Sequence, residues 1–263
     1  MTARVDHPLR SPMRSHLSSQ QAAAKVITSA FQPIFDAKSR KTISYEALVR
    51  SPENESAARI FEQFAPDDLN AFDQRCRVTA IRLAVALGIP CNLNLNILAN
   101  SKFSSERRIR STVEAAHLGG LPLDCIVLEV AEGQIIKDRS EFARMIDLYR
   151  GMGFKMAIDD FGAGYSGLNL LADFQPDQIK VDKALISKIQ SCGPRQVIVR
   201  AIVQVCRDLG IDLVAEGIET EEEYSWLASE GVTVFQGYFF GRPTFEALIE
   251  AHCPRSLPPP VIP

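Results

Sequence analysis

Two adjacent carboxylates, Asp159 and Asp160, end a short apolar run that begins at Lys155, and the turn-forming stretch Phe161, Gly162, Ala163 and Gly164 follows at once. Alternation along a strand sends neighbouring side chains to opposite faces, so this pair can converge on one ligand only where the strand ends and the backbone turns. Carboxylate oxygens suit hard divalent cations such as Mg²⁺, Mn²⁺ or Ca²⁺. One carboxylate shared between two ions is how two-metal phosphodiester chemistry holds its pair. A solvated acidic loop is the plainer alternative for such a motif. Other reactive groups recur at or near the ends of β-rich runs: Glu46, Asn96, Glu129, Lys180, Glu216 and Gln236. An acidic group closing an apolar strand is costly unless it is paired or coordinates a cation. Together these carboxylates and the asparagine carbonyl could hold one or two hard cations, clamp a phosphodiester and acidify a water. Lys180 in that company would stay protonated and could orient water or stabilise developing charge, a plain ion pair with Asp182 or a neighbour being the alternative. Arg50 stands where a bidentate phosphate contact is possible.

The elements that would position these groups are β-rich runs separated by helical stretches. The runs are 30–35, 43–49, 91–96, 126–130, 155–159, 178–182, 212–216 and 232–236. Helical periodicity fills the gaps, as at Phe142, Met145, Ile146 and Tyr149, or Ile198, Ile202, Val205, Cys206 and Leu209, with Gly151, Gly153 and Gly210 as stop signals. Eight strands alternating with helices over this length predict an α/β fold, a (β/α)₈ TIM-like barrel, with an open doubly wound sheet as the alternative. In a barrel the strand C-termini form the active-site rim. Only residues 36–41 separate the first two runs, too short for a crossover, so the first strand should lie antiparallel to its neighbour.

The chain has 263 residues, 46% of them hydrophobic and 23% charged, enough for one large globular domain. A net charge of −3 gives no basic surplus for duplex nucleic acid or a polybasic membrane anchor. Six scattered cysteines without a C-x-x-C pair argue against zinc or a disulfide framework, and with no signal-like segment or membrane-length apolar run they predict a cytoplasmic protein. Residues 1–22 read as a flexible leader, 23–250 as the domain and 251–263 as a proline-rich tail.

The motifs also occur in the order of a known family. Glu46-Ala47-Leu48 followed by Arg50, the asparagine of the third run, Glu129 to Glu132, Asp159 to Ser166, Lys180 to Asp182, Glu216 to Glu219 and Gln236 to Pro243 resemble the EAL-domain family over roughly residues 31–248. The resemblance implies a barrel with its first strand reversed and hydrolysis of cyclic di-GMP to linear 5′-pGpG. It implies a requirement for Mg²⁺ or Mn²⁺, inhibition by Ca²⁺, and a homodimer. By the same resemblance, Glu46, Asn96, Glu129 and Asp159 look like ligands of one cation. Asp159 and Asp160 look like ligands of a second, with Glu216 nearby through water, and Lys180 resembles the residue that positions the attacking water. Gln32, Leu48, Arg50 and Gln236 resemble substrate contacts. Glu132 and Glu219 resemble supports, Glu132 for the loop from Phe161 to Leu168 that couples dimer contact to metal binding.

Two departures stand out. Ala131 occupies the place of a threonine whose hydroxyl would bond that loop, and Gly167 replaces a common serine. In the third run Asn92, Asn94 and Asn96 share one strand face, and Asn96 is assigned as the ligand with Asn94 as the alternative. A non-catalytic cyclic di-GMP receptor, or an interaction module for an unidentified protein partner, is the competing function.

Overall fold

The computed structural model describes residues 25–98, 105–135, 139–164, 167–173, 175–254 and 257–261; the expected leader lies outside them. Strands β1 (Thr28–Asp36) and β2 (Lys41–Arg50) form an antiparallel hairpin. Asp36 sets its turn by accepting the N–H groups of Lys38 and Ser39. From β2 onward every neighbouring pair is parallel: β3 (Asn92–Asn96), β4 (Ile126–Ala131), β5 (Lys155–Phe161), β6 (Gln178–Val181), β7 (Asp212–Ala215) and β8 (Val234–Gln236). β8 then pairs antiparallel with β1, which closes an eight-strand barrel with one reversed strand. A two-residue strand β9 (Thr244–Phe245) pairs antiparallel with Ala30 and Phe31 of β1.

Most of β1 is buried, because one of its faces lines the barrel and the other meets surrounding chain. Strands covered on both sides cannot show a clean alternation. The longer helices are α1 (Leu69–Ala86), α2 (Ser105–Gly119), α3 (Arg139–Gly151) and α4 (Gly193–Leu209). In α3 the expected stripe Phe142, Met145, Ile146 and Tyr149 is buried throughout. In α4 the buried face is Val199, Ile202 and Cys206, while Ile198 and Leu209 are exposed. That apolar face is wide enough on paper to hide which stripe turns inward, so the periodicity alone misplaced it. Gly210 ends α4 in the left-handed conformation that its position as a stop signal requires.

Strand ends shift from expectation by one or two residues, and three of the shifts bear on the site. β5 runs on to Phe161, Asp182 caps a short helix by accepting the N–H of Ala184, and Glu216 lies one residue beyond β7.

The proline-rich tail makes neither helix nor strand in its described residues, yet it is packed against the domain. Leu257 is buried, the Tyr224 hydroxyl donates to Pro258 O at 2.7 Å, and Val261 N donates to Ala228 O at 2.9 Å. Ala251 N donates to Thr42 Oγ1 and an Arg40 guanidinium nitrogen donates to Pro254 O, near where β2 begins and so away from the rim formed by the strand C-termini. Deleting residues 252–263 is expected to cost about 2–5 kcal/mol from Leu257 alone and to lower the thermal midpoint by roughly 5 °C or more, read by calorimetry.

Candidate active site

Inside the barrel, at the C-terminal ends of the strands, the ammonium of Lys180 is buried among four carboxylates. Its Nζ lies 2.6 Å from Glu216 Oε1, 2.9 Å from Glu129 Oε1, 3.1 Å from Glu46 Oε2 and 3.2 Å from Asp159 Oδ1. These partners come from β2, β4, β5 and the residue after β7, so the barrel alone brings them together. Burial by itself would lower the lysine pKa, but the four carboxylates outweigh it and hold the value well above the ordinary one. Burial raises Glu129 well above the usual range, with Glu46 and Asp159 adding to the rise, and pushes Glu216 up to about 8. Asp160 is pushed up to about 6 by burial and by Asp159 and Asp182. If all five carboxylates ionise, one ammonium leaves four negative charges uncompensated, which is the charge of two divalent cations.

The adjacent aspartates converge through a bulge. β5 pairs with β6 at Ile158↔Ile179 and next at Phe161↔Val181, so one extra residue is inserted into β5. Asp160 takes up a left-handed backbone conformation with φ 54°, which aspartate tolerates better than most residues. Glu46, Glu129 and Asp159 then offer carboxylate oxygens within 4.8 Å of one another, and so do Asp159, Asp160 and Glu216. Asp159 belongs to both groups.

The surrounding hydrogen bonds orient the cluster. Glu46 accepts Asn96 Nδ2 at 3.1 Å and Gln236 Nε2 at 2.7 Å. Gln236 also reaches Gln32 Oε1 at 3.3 Å, and Gln32 Nε2 donates to Gly241 O. Asn94, two residues deeper on β3, accepts the Ser44 hydroxyl and donates to Glu129 Oε1 at 2.7 Å. Asn96 stands exposed at the strand end, its amide nitrogen on Glu46. Glu129 Oε2 is buried without a hydrogen-bond partner, and Asp159 Oδ1 has only the off-line approach of Lys180. Unsatisfied buried oxygens beside an all-oxygen donor set fit a hard cation.

Two cavities flank the cluster and share Glu46, Leu48 and Asp159. One, about 490 Å³, is mainly apolar and is walled by Val49, Phe61, Ala80, Leu95 and Ala131. The other, about 330 Å³, is walled by Gln32, Asp160, Glu216, Glu219, Gln236 and Tyr238. Arg50 lines neither; it is half-buried at the end of β2 and donates to Val49 O. The second cavity depends on a close approach at Gly237, where a Cβ would meet Ile218 backbone atoms at 2.2 Å.

Glu132 accepts the N–H groups of Gly162 and Gly164, at 2.9 and 3.2 Å, and so holds the start of the loop after β5. Ala131, paired with Asp159 across the sheet, offers no hydroxyl there. Tyr165 and Ser166 of that loop lie outside the described residues. Glu219 forms an ion pair with Lys183, and both line the second cavity. The nearby backbone is held by Glu223, which accepts Lys188, Glu219 and Thr220 N–H groups. The sequence reading missed Glu223, although Thr220-x-x-Glu223 is a capping-box signature. It also missed Lys183 and Tyr238, which carried no distinguishing pattern.

A barrel with an oxygen-rich acidic cluster at its strand C-termini defines a class of proteins that work from that rim. This chain belongs to one family of that class, the EAL domain family, which matches residues 17–243. It is 34% identical over 214 residues to the blue light- and temperature-regulated antirepressor BluF of Escherichia coli, covering 81% of this chain and 53% of BluF. It is 32% identical over 174 residues to the cyclic di-GMP phosphodiesterase RocR of Pseudomonas aeruginosa, covering 65% of this chain and 44% of RocR. The chain thus spans about half the length of these relatives. Among solved structures, a standalone EAL protein from Vibrio cholerae O395 with c-di-GMP bound superposes with a TM-score of 0.83 at 43% identity, covering 86% of this chain and 96% of that one. BlrP1 of Klebsiella pneumoniae, as a manganese and cyclic di-GMP complex, gives 0.82 at 39% identity, covering 86% and 57%. No helix among the described residues is long and apolar enough to cross a membrane.

The raised carboxyl pKa values give a pH signature. Glu216 moves from an ordinary 4.5 to about 8 on folding, so its burial progressively destabilises the fold as pH rises from the first value to the second. A cation must displace such protons and relieves the repulsion once they are gone. The rise in thermal midpoint produced by Mn²⁺ over chelator should therefore grow between pH 5.5 and 8, as measured by scanning fluorimetry.

Proposed function

We propose that the chain is a phosphodiesterase that hydrolyses cyclic di-GMP to linear 5′-pGpG with the help of two divalent cations, Mg²⁺ or Mn²⁺. The observation that carries this reading is the pair of carboxylate groups that meet at Asp159, set around one lysine on the rim of an EAL barrel. Its similarity to a named cyclic di-GMP phosphodiesterase and to EAL structures holding the nucleotide supports the substrate.

Glu46, Asn96, Glu129 and Asp159 would hold one cation and Asp159 with Asp160 the other, Glu216 acting next to them. Bound cations of this kind clamp phosphate oxygens and lower the pKa of water toward neutrality. Lys180, kept protonated by its partners, cannot serve as a base and instead orients the attacking water and stabilises developing charge. Gln236, which holds Glu46 and is met by Gln32, lines the smaller cavity with it, and both would contact the nucleotide there. Leu48 borders both cavities, each of a size to accept part of the nucleotide, and Arg50 at the end of β2 would have to turn from Val49 O to meet a phosphate. Glu132 steadies the loop that follows Asp160, and Glu219 with Lys183 walls the mouth. The protein would act as a homodimer in the cytoplasm, a compartment that suits six free cysteines.

A second reading, a partner-binding module without turnover, is favoured by the similarity to an antirepressor and by Ala131. Incubating purified protein with cyclic di-GMP and Mn²⁺, with and without chelator, separates the two by chromatography of the product. Turnover is expected with metal and none with chelator or in Glu46→Ala. Asp159→Asn should abolish turnover, while Glu132→Gln should reduce it less severely, since Glu132 acts through the loop. Folded protein, checked as a dimer by mass, that leaves the nucleotide intact would sink the phosphodiesterase reading.

A further inference from the structure

We infer that Asn94, braced by Ser44, is a positioning residue that presents the second oxygen of Glu129 to a divalent cation; this deepens the phosphodiesterase reading and rests on it. Asn94 lies opposite Glu46 on β2 and opposite Val127 on β4, two residues before Asn96, which lies opposite Glu129. Asn94 therefore lies level with Glu46 and one inward-facing position deeper than Asn96 and Glu129, where it is buried at 1% exposure.

In that layer its hydrogen bonds have one direction. The Ser44 hydroxyl donates to Asn94 Oδ1, which turns the amide nitrogen toward Glu129. Asn94 Nδ2 then donates to Glu129 Oε1 at 2.7 Å, and the Lys180 ammonium lies 2.9 Å from the same oxygen. A hydrogen bond and an ion pair thus meet on one oxygen and hold the carboxylate from that side. Glu129 Oε2 is left buried with no hydrogen-bond partner, and Glu129 groups with Glu46 and Asp159 in a set whose ligand oxygens all lie within 4.8 Å of one another. A buried anionic oxygen without a donor is costly unless something positive meets it. Were Asn94 only a satisfied polar residue of the barrel interior, its removal would act on folding and not on that oxygen. As a positioning residue it acts on cation affinity through Glu129, as partners of metal ligands do elsewhere.

The test is Mn²⁺ titration by calorimetry without nucleotide, using the full chain as wild type, Asn94→Leu, Glu129→Gln and the double variant. Asn94→Leu is expected to weaken Mn²⁺ binding by about 10–100-fold. In the Glu129→Gln background the same change should alter binding by no more than about twofold, because the two residues act as a unit. Equal Mn²⁺ affinity in wild type and Asn94→Leu overturns the inference, and so does the same loss in both backgrounds. If Asn94→Leu lacks a cooperative thermal transition, Ser44→Ala takes its place, with weakened binding expected and Ser44→Thr restoring it; unchanged binding in Ser44→Ala overturns the inference. A folded wild type that binds no Mn²⁺ overturns the phosphodiesterase reading as well, whereas unaltered variants beside a binding wild type overturn this inference alone.

Discussion

One buried ammonium among four carboxylates is the interaction on which the rest of this molecule turns. A lysine withdrawn from water would ordinarily give up its proton, and carboxylates withdrawn from water would ordinarily take one. Here each justifies the other. The charges do not balance, however, since the acidic groups outnumber the lysine, and three of them respond with raised pKa values. An interior arranged this way is poor for stability and well suited to attracting divalent cations, because removing excess negative charge is favourable at low dielectric. The surrounding apolar barrel has to supply the stability that the centre lacks.

Geometry follows from that demand. Carboxylates on different strands can reach one lysine only if the sheet closes, and closure depends on β1 lying antiparallel between β8 and β2. The hairpin turn at Asp36 makes the reversal, because no crossover fits in so few residues. Within β5 the bulge does the equivalent work at short range, turning two consecutive side chains toward one space. At the rim, Glu132 and Glu223 each spend a carboxylate on backbone N–H groups instead of on the cluster. Such contacts fix the loops that bound the two cavities, and they leave the central carboxylates to Lys180 and its neighbours.

Much of this was legible in the chain. The eight β-rich runs, the short connection that forbids a parallel first pair, and the acidic strand ends are local patterns, and local patterns survive without knowledge of the fold. Phe142, Met145, Ile146 and Tyr149 turned inward as their spacing requires. Where the signal was broad, it failed: α4 is apolar around more than one stripe, and only packing chose Val199 over Ile198. The pairing of Glu219 with Lys183 was not legible, because spacing says nothing about which neighbour a carboxylate will meet. The proline-rich tail could be read as lacking regular structure, but its docking on Tyr224 and Ala228 depends on residues far away in sequence.

The sequence by itself determined the strand-and-helix alternation, the reversed first strand, the family, and the residue types gathered at the strand ends. It did so because periodicity, turn length and motif order are properties of neighbouring residues. Tertiary structure alone decided that Lys180 sits among four carboxylates, that Asp159 belongs to both acidic groups, and that Asn94 lies beneath Glu129 while Asn96 stands at the mouth. Those are facts of register and closure, set by which strands pair and how far each is shifted, and no single segment carries them.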